Sequence, residues 1–167
     1  KKAFVKDGIE FWGSAKSNLD DIYLNDTDLI VNATGMPFSP KPFIKNAPDW
    51  LGLPTASSKK PSQMVLDWKD FQPPPNSVEI DFWETIFDRC KENGIKRIIC
   101  CCGAGQGRTG TALASFALAT NFIREPEDAI TFIRARYSEH AIERKSQELY
   151  IWTLIYSMEE IFEEAVE

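Results

Sequence analysis

Residues 97–119 constrain the fold of this 167-residue chain more than any other stretch. A short apolar run, Ile98-Ile99-Cys100-Cys101-Cys102, has the composition of a strand buried on both faces. It passes into Gly103-Ala104-Gly105-Gln106-Gly107-Arg108-Thr109-Gly110, and then into Thr111 to Ala119, which is small and apolar on nearly every face. The pattern predicts a buried strand, a glycine-rich loop and a buried helix. Glycines 103, 105 and 107 allow backbone conformations closed to other residues, so that successive N–H groups can turn inward. Such a ring at a helix N-terminus attracts anions, because unpaired donors and the helix dipole both favour negative charge. The loop is expected to hold a phosphate-like group.

Two familiar loop chemistries do not fit. A nucleotide-binding loop, G-x-x-x-x-G-K-[ST], needs Lys where this chain has Arg108, and Gly where it has Cys102. Gly105-x-Gly107-x-x-Gly110 matches the dinucleotide fingerprint literally. That unit requires a second strand with an acidic residue about 20 positions on. The chain instead has Ala129-Ile130-Thr131-Phe132-Ile133 within a helical pattern, and too little sequence follows to complete such a fold.

Cys102 and Arg108, with five residues between them, suggest a third chemistry. In a loop curled around an anion, the sulfur lies below and the guanidinium forks onto the oxygens. A thiolate so placed is positioned for in-line attack on phosphorus, and the amide ring favours its ionised form. The Thr109 hydroxyl can reach back to the sulfur. The segment resembles the C-x5-R-[ST] signature of the cysteine-dependent protein tyrosine and dual-specificity phosphatases. Cys102-Gly103-Ala104-Gly105-Gln106-Gly107-Arg108-Thr109-Gly110 fits the longer family pattern, except that Cys101 stands where that family usually has His. The resemblance implies Cys102 as nucleophile, Arg108 and residues Gly103, Ala104, Gly105, Gln106 and Gly107 as phosphate ligands, and no cofactor.

A thiolate attacking a phosphoester needs an acid for the leaving oxygen and then a base for water. The family takes one aspartate for both from a mobile loop upstream, often within W-P-D-x-x-x-P. Trp68-Lys69-Asp70-Phe71-Gln72-Pro73-Pro74 resembles that setting, with Lys69 replacing the first proline. Asp70 is therefore the expected acid and Asp67 its rival. Gln147, in Ala141-Ile142-Glu143-x-x-x-Gln147, resembles a water-orienting glutamine of related phosphatases; the alternative is an exposed residue at a helix start. His140, the only histidine, reads as loop surface.

Around this segment the pattern predicts one α/β domain over residues 1–167. Its mostly parallel sheet has about four or five strands, with helices on both faces. Residues 3–16 read as two short strands or a hairpin, followed by strands at 28–34 and 64–66. A helix is expected from an N-cap at Ser77 to Asn93, stopped by Gly94, with Cys90 in the core. Pro126 opens a further helix. A last helix runs from about Arg144 with Leu149, Trp152, Leu154, Ile155, Met158 and Ile161 apolar. Residues 35–62 carry six of the ten prolines and a local charge of +3, either as an irregular connection or as a basic rim for an anionic substrate.

Four cysteines, three of them consecutive, make no disulfide framework, and with one histidine and no C-x-x-C pair they make no zinc site. That usage suits a reducing, cytoplasmic setting. No apolar run reaches the 18 residues of a membrane span. A net charge of −6 argues against general nucleic-acid binding. The expected protein is a metal-independent, monomeric phosphatase. Its substrate is a phosphorylated protein or peptide, phosphotyrosine first and phosphoserine or phosphothreonine beside it. Phosphoinositides and RNA 5′-triphosphates are alternative substrates of the same chemistry, and a non-catalytic phosphate-binding module is the alternative to an enzyme.

Overall fold

The computed structural model describes residues 1–36, 44–45, 61–74 and 78–166. Ser77 and most of the proline- and lysine-rich stretch 35–62 lie outside the described residues, so the expectations on them stay where the sequence leaves them.

The chain opens with β1 (Lys2–Lys6) and β2 (Ile9–Ala15), an antiparallel hairpin. Its two-residue turn is Asp7-Gly8, both at positive φ (51° and 80°), the conformation that suits the twist of a tight hairpin. A 3₁₀ helix (Lys16–Asp21) leads to β3 (Asp28–Asn32), the two-residue β4 (Ile44–Lys45) and β5 (Ser62–Val65). Then come α1 (Ile80–Glu92), β6 (Arg97–Cys102), α2 (Gly107–Ala119), α3 (Pro126–Arg136), α4 (Lys145–Thr153) and α5 (Met158–Val166). The sheet order is β1-β2-β6-β3-β5-β4, and every pair after β1–β2 is parallel. The five longer strands agree with the expected four or five; β4 is a short addition at the edge.

The two faces of the sheet are covered unequally. Strand side chains alternate sides, so Ile98, Cys100 and Cys102 join the larger core with Phe11, Trp83, Leu113, Phe116 and Ile133, beneath α1 to α4. Ile99 and Cys101 face the other way, into a small cluster with Leu19 of the 3₁₀ helix and Ile30. Coverage of both faces explains the unbroken apolar run of β6. It also places Cys100 and Cys101 in different cores, both buried. In the larger core Phe116 packs against Phe11 (5.2 Å) and edge-on to Trp83 (5.0 Å). The Trp83 indole N–H donates to the Tyr150 hydroxyl at 2.8 Å, so burial leaves that polar atom satisfied.

Helix α1 stops where expected, at Asn93 and Gly94 (φ 72°), but its N-cap is Glu79. Cys90 is in the core. The expected last helix is two. α4 ends at Thr153, and α5 restarts behind Ser157, whose hydroxyl accepts the Glu160 N–H (3.2 Å) and donates to the Glu160 carboxylate (3.1 Å). This Ser-x-x-Glu box is a helix-start signal lying inside an apolar pattern that reads as continuous. Leu149, Ile155 and Met158 are exposed, whereas Leu154 is buried. Among the described residues, no helix is long and apolar enough to cross a membrane.

Candidate active site

Parallel strands gather their carboxyl ends at one edge, where α/β sheets bind ligands. Cys102 ends β6 there, in register with Ala15 at the end of β2, and Asn32 at the end of β3 pairs with Cys101. Residues 103–106 then turn the chain into α2. Gly105 has φ 75°, and a Cβ on it would lie 2.4 Å from the Ala15 nitrogen, so backbone rests on backbone where no side chain fits. The Gly105 carbonyl accepts the Tyr137 hydroxyl. A trans peptide points its N–H opposite its C=O, so this bond turns the Gln106 N–H to the other side. Burial pushes the Tyr137 hydroxyl well above its ordinary pKa, and nearby cysteine charge adds to the shift; it remains a neutral donor. Helix α2 starts at Gly107 without a side-chain cap, leaving its first N–H groups available to an anion.

Cys102 is 2% exposed, and the Thr109 hydroxyl lies 3.1 Å from its sulfur, as the sequence suggests. Arg108 is 8% exposed. Its Nη1 donates to the Ala33 carbonyl at 3.0 Å and to the Trp68 carbonyl at 2.8 Å. One end of the guanidinium is therefore fixed by the chain after β3 and by the segment that carries Asp70. The Nε is buried without a hydrogen-bond partner among the described residues. Nη2 lies 3.5 Å from where a Gly103 Cβ would stand, so it reaches over the loop. An unpaired buried donor costs about 1–3 kcal/mol. An oxyanion in the loop would remove that cost by accepting from Nε and Nη2 together.

The structure separates the two candidate acids. Asp70 lies 3.6 Å from Arg108 Nη2, with its carboxylate also accepting the Phe71 N–H at 3.0 Å. Its side chain is 59% exposed. Asp67 instead faces the turn at Gly35, where an added Cβ would lie 3.3 Å from its carboxylate. The loop between them is pinned by the Trp68 indole, which donates to the Gln72 carbonyl at 2.6 Å.

Gln147 is fully buried, so the reading of it as an exposed helix-start residue does not hold. Its Nε2 donates to the Gln72 carbonyl (3.3 Å), its Oε1 accepts the Arg144 N–H (3.2 Å), and it lies beside Gly107. It therefore stands between the glycine-rich loop and the Asp70 loop. His140 is an exposed loop residue 3.3 Å from Glu139. Cys101, at the position before Cys102, has its thiol pushed up to about 12, chiefly by burial and then by the charge of Cys102.

Sequence reasoning missed several neighbours. Tyr137 supports the loop and packs on Gly13, where a Cβ would fall 2.6 Å from its ring. Glu143 brings a carboxylate oxygen within 2.6 Å of a notional Cβ on Gly107. Arg134 binds the Ala141 and Ile142 carbonyls (3.0 and 2.7 Å), holding Ile142 at φ 61°. None of these carries a local signal, since each acts across the fold. Among the described residues, no group of three or more His, Cys, Asp or Glu is placed to hold a metal.

No protein-family model matches the chain, and no curated protein sequence does. Solved structures do. Tk-PTP in its active form is 18% identical, with 92% of this chain and 95% of that one covered at a TM-score of 0.57. The Trypanosoma cruzi protein tyrosine phosphatase TcPTP1 is 15% identical, covering 93% and 70% at 0.62. The tyrosine phosphatase OH1 from the Orf virus, described as having triple substrate specificity, is 13% identical, covering 92% and 86% at 0.53. At these identities the likeness speaks for architecture, and over nearly all its length the chain has the fold of the protein tyrosine phosphatases.

Proposed function

We propose that this chain is a phosphatase that hydrolyses phosphate monoesters on proteins, through a phosphocysteine on Cys102. The observation that carries the reading is the Arg108 Nε, buried and without a hydrogen-bond partner among the described residues, across the same loop from the Cys102 sulfur. The fold supports it, because the neighbours with this architecture are tyrosine phosphatases.

The Cys102 thiolate attacks phosphorus as the ester oxygen leaves. The S–P bond forms, the P–O bond breaks, and the Asp70 carboxyl gives its proton to the departing oxygen. Arg108 and the amides of residues 103–107 hold the equatorial oxygens, whose charge grows in the transition state. Water then attacks the phosphocysteine. Asp70, now a carboxylate, takes its proton, the S–P bond breaks and orthophosphate departs. The Thr109 hydroxyl, 3.1 Å from the sulfur, stabilises the thiolate as it is released. Gln147, between the two loops, is the residue proposed to orient that water through the second N–H of its amide.

Phosphotyrosine is the favoured substrate, with phosphoserine and phosphothreonine beside it. The site loop 102–110 contains no lysine that would select polyphosphates. The test is hydrolysis of an aryl phosphate with chelator present, followed by a panel of phosphopeptides, phosphoinositides and 5′-triphosphate RNA. Turnover that resists chelator, falls with vanadate and is fastest on phosphotyrosine peptides is expected. Binding of phosphate without turnover would leave the chain a phosphate-binding module.

A further inference from the structure

Phe71 follows Asp70 directly and takes φ 60°, a left-handed conformation uncommon for a bulky residue and held only where neighbours impose it. The residue is 43% exposed. One neighbour is the Arg144 guanidinium, whose carbon lies 4.7 Å from the ring centroid. Arg144 is the N-cap of α4, with an extended backbone (φ −122°, ψ 149°), and its N–H is bound to Gln147 Oε1 at 3.2 Å. Gln147 in turn donates to the carbonyl of Gln72, on the other side of Phe71. The start of α4 thus holds the Asp70 loop at two adjacent points, the ring of residue 71 and the carbonyl of residue 72. Asp70 stands immediately before both, 3.6 Å from Arg108.

We propose that Arg144 is a positioning residue, which keeps Asp70 over the phosphate loop by stacking its guanidinium on Phe71. The proposal rests on the reading of Asp70 as the acid. Arg144 acts on Asp70 only through the Phe71 backbone, so it alters how often the acid is in place and not the acid itself. Its stack also substitutes for stiffness that the loop lacks, because Lys69 occupies the place where proline would fix φ. An exposed cation–π contact shifts a two-state loop by about two- to fivefold, and that is the size of effect expected.

Arg144→Met keeps the length and apolar stem of the side chain and removes the charge. It should lower kcat on phenyl phosphate about two- to fivefold with KM unchanged. The loss should nearly vanish on a dinitrophenyl ester, whose leaving group needs no proton. Phe71→Leu should give the same loss, and the double variant no more than either single one. Arg144→Lys should recover part of the rate. Amide hydrogen exchange over residues 69–72 should quicken in Arg144→Met by a similar factor. A raised KM with kcat unchanged would make Arg144 a recruiter of anionic substrate. Additive losses, or unchanged exchange, would also overturn the latch. If the unaltered chain shows no turnover, the phosphatase reading fails, while exchange in the same variants still decides whether Arg144 holds the loop.

Discussion

The phosphate loop and the Asp70 loop meet at Arg108, but they are held in different ways. Residues 103–106 rest mainly on backbone. Gly105 touches the end of β2, its carbonyl is held by Tyr137, and the Gln106 carbonyl accepts the N–H groups of Gly110 (2.8 Å) and Ile142 (3.3 Å). Residues 67–74 are held mainly by side chains, through the Trp68 indole, the Gln147 amide and the Arg144 stack, and Asp67, Lys69, Asp70, Phe71 and Gln72 are exposed. The first arrangement suits a group whose charge must be bound with no reorganisation when it appears. The second suits a group that must give up a proton, regain it and let product out. Changes in the phosphate loop should therefore reach both stability and activity, and changes at Asp70 activity alone.

The largest effect belongs to Cys102. Cys102→Ser should reduce turnover by about 10⁴-fold or more while the variant still binds vanadate, as removal of a nucleophile does elsewhere. If Cys101→Ser or Cys100→Ser abolishes turnover instead, the five-residue spacing to Arg108 does not mark the nucleophile.

Next comes Asp70→Asn, with a loss of about 10²–10⁴-fold in kcat that shrinks on esters with good leaving groups. Its thermal midpoint should stay that of the unaltered protein, since the side chain is mostly in solvent. Equal damage from Asp67→Asn would contradict the placement of Asp67 at Gly35. Damage from Glu143→Gln alone would transfer the proton role to the carboxylate beside Gly107.

Gly105→Ala should break the comparison if the phosphate loop is less rigid than its contacts imply. The φ of 75° and the 2.4 Å approach to Ala15 predict a stability loss of more than about 1 kcal/mol together with lost activity. A variant as stable and as active as the unaltered chain would show that the loop can rearrange.

The last effect lies beneath the loops and shows only at high pH. Burial raises Cys101 from an ordinary 9.0 to about 12. The unfolded chain releases this proton near 9.0 and the folded chain only near 12, so above 9.0 the unfolded state binds fewer protons. This contribution to stability is intact below pH 9.0 and is lost as pH rises toward about 12. Denaturant midpoints measured across that range should fall less steeply in Cys101→Ala.

Much of the phosphate loop was legible because everything it needs is contiguous. An apolar strand, glycines that release the backbone, and Cys102 and Arg108 at fixed spacing are local facts. The Pro126 start and the Gly94 stop were readable for the same reason, and a hairpin was one of the two readings open for residues 3–16. The last helix misled because hydrophobic periodicity ran through the Ser157–Glu160 box, and only tertiary packing decided that Leu154 would be buried and Ile155 exposed.

By itself, then, the sequence determined a strand, a glycine-rich loop and a buried helix in succession, and it singled out Cys102 and Arg108 as the nucleophile and the arginine proposed here. Backbone sterics and alternation of side chains act between near neighbours, so a linear pattern records them. Only the tertiary structure shows how Asp70, expected from the sequence, comes within 3.6 Å of Arg108 while Asp67 faces Gly35, that Gln147 is buried between two loops, and that Tyr137 and Arg144 touch those loops. Each of those depends on contacts between residues 32 to 75 positions apart, whose distances are set by how α2, α3 and α4 pack on the sheet.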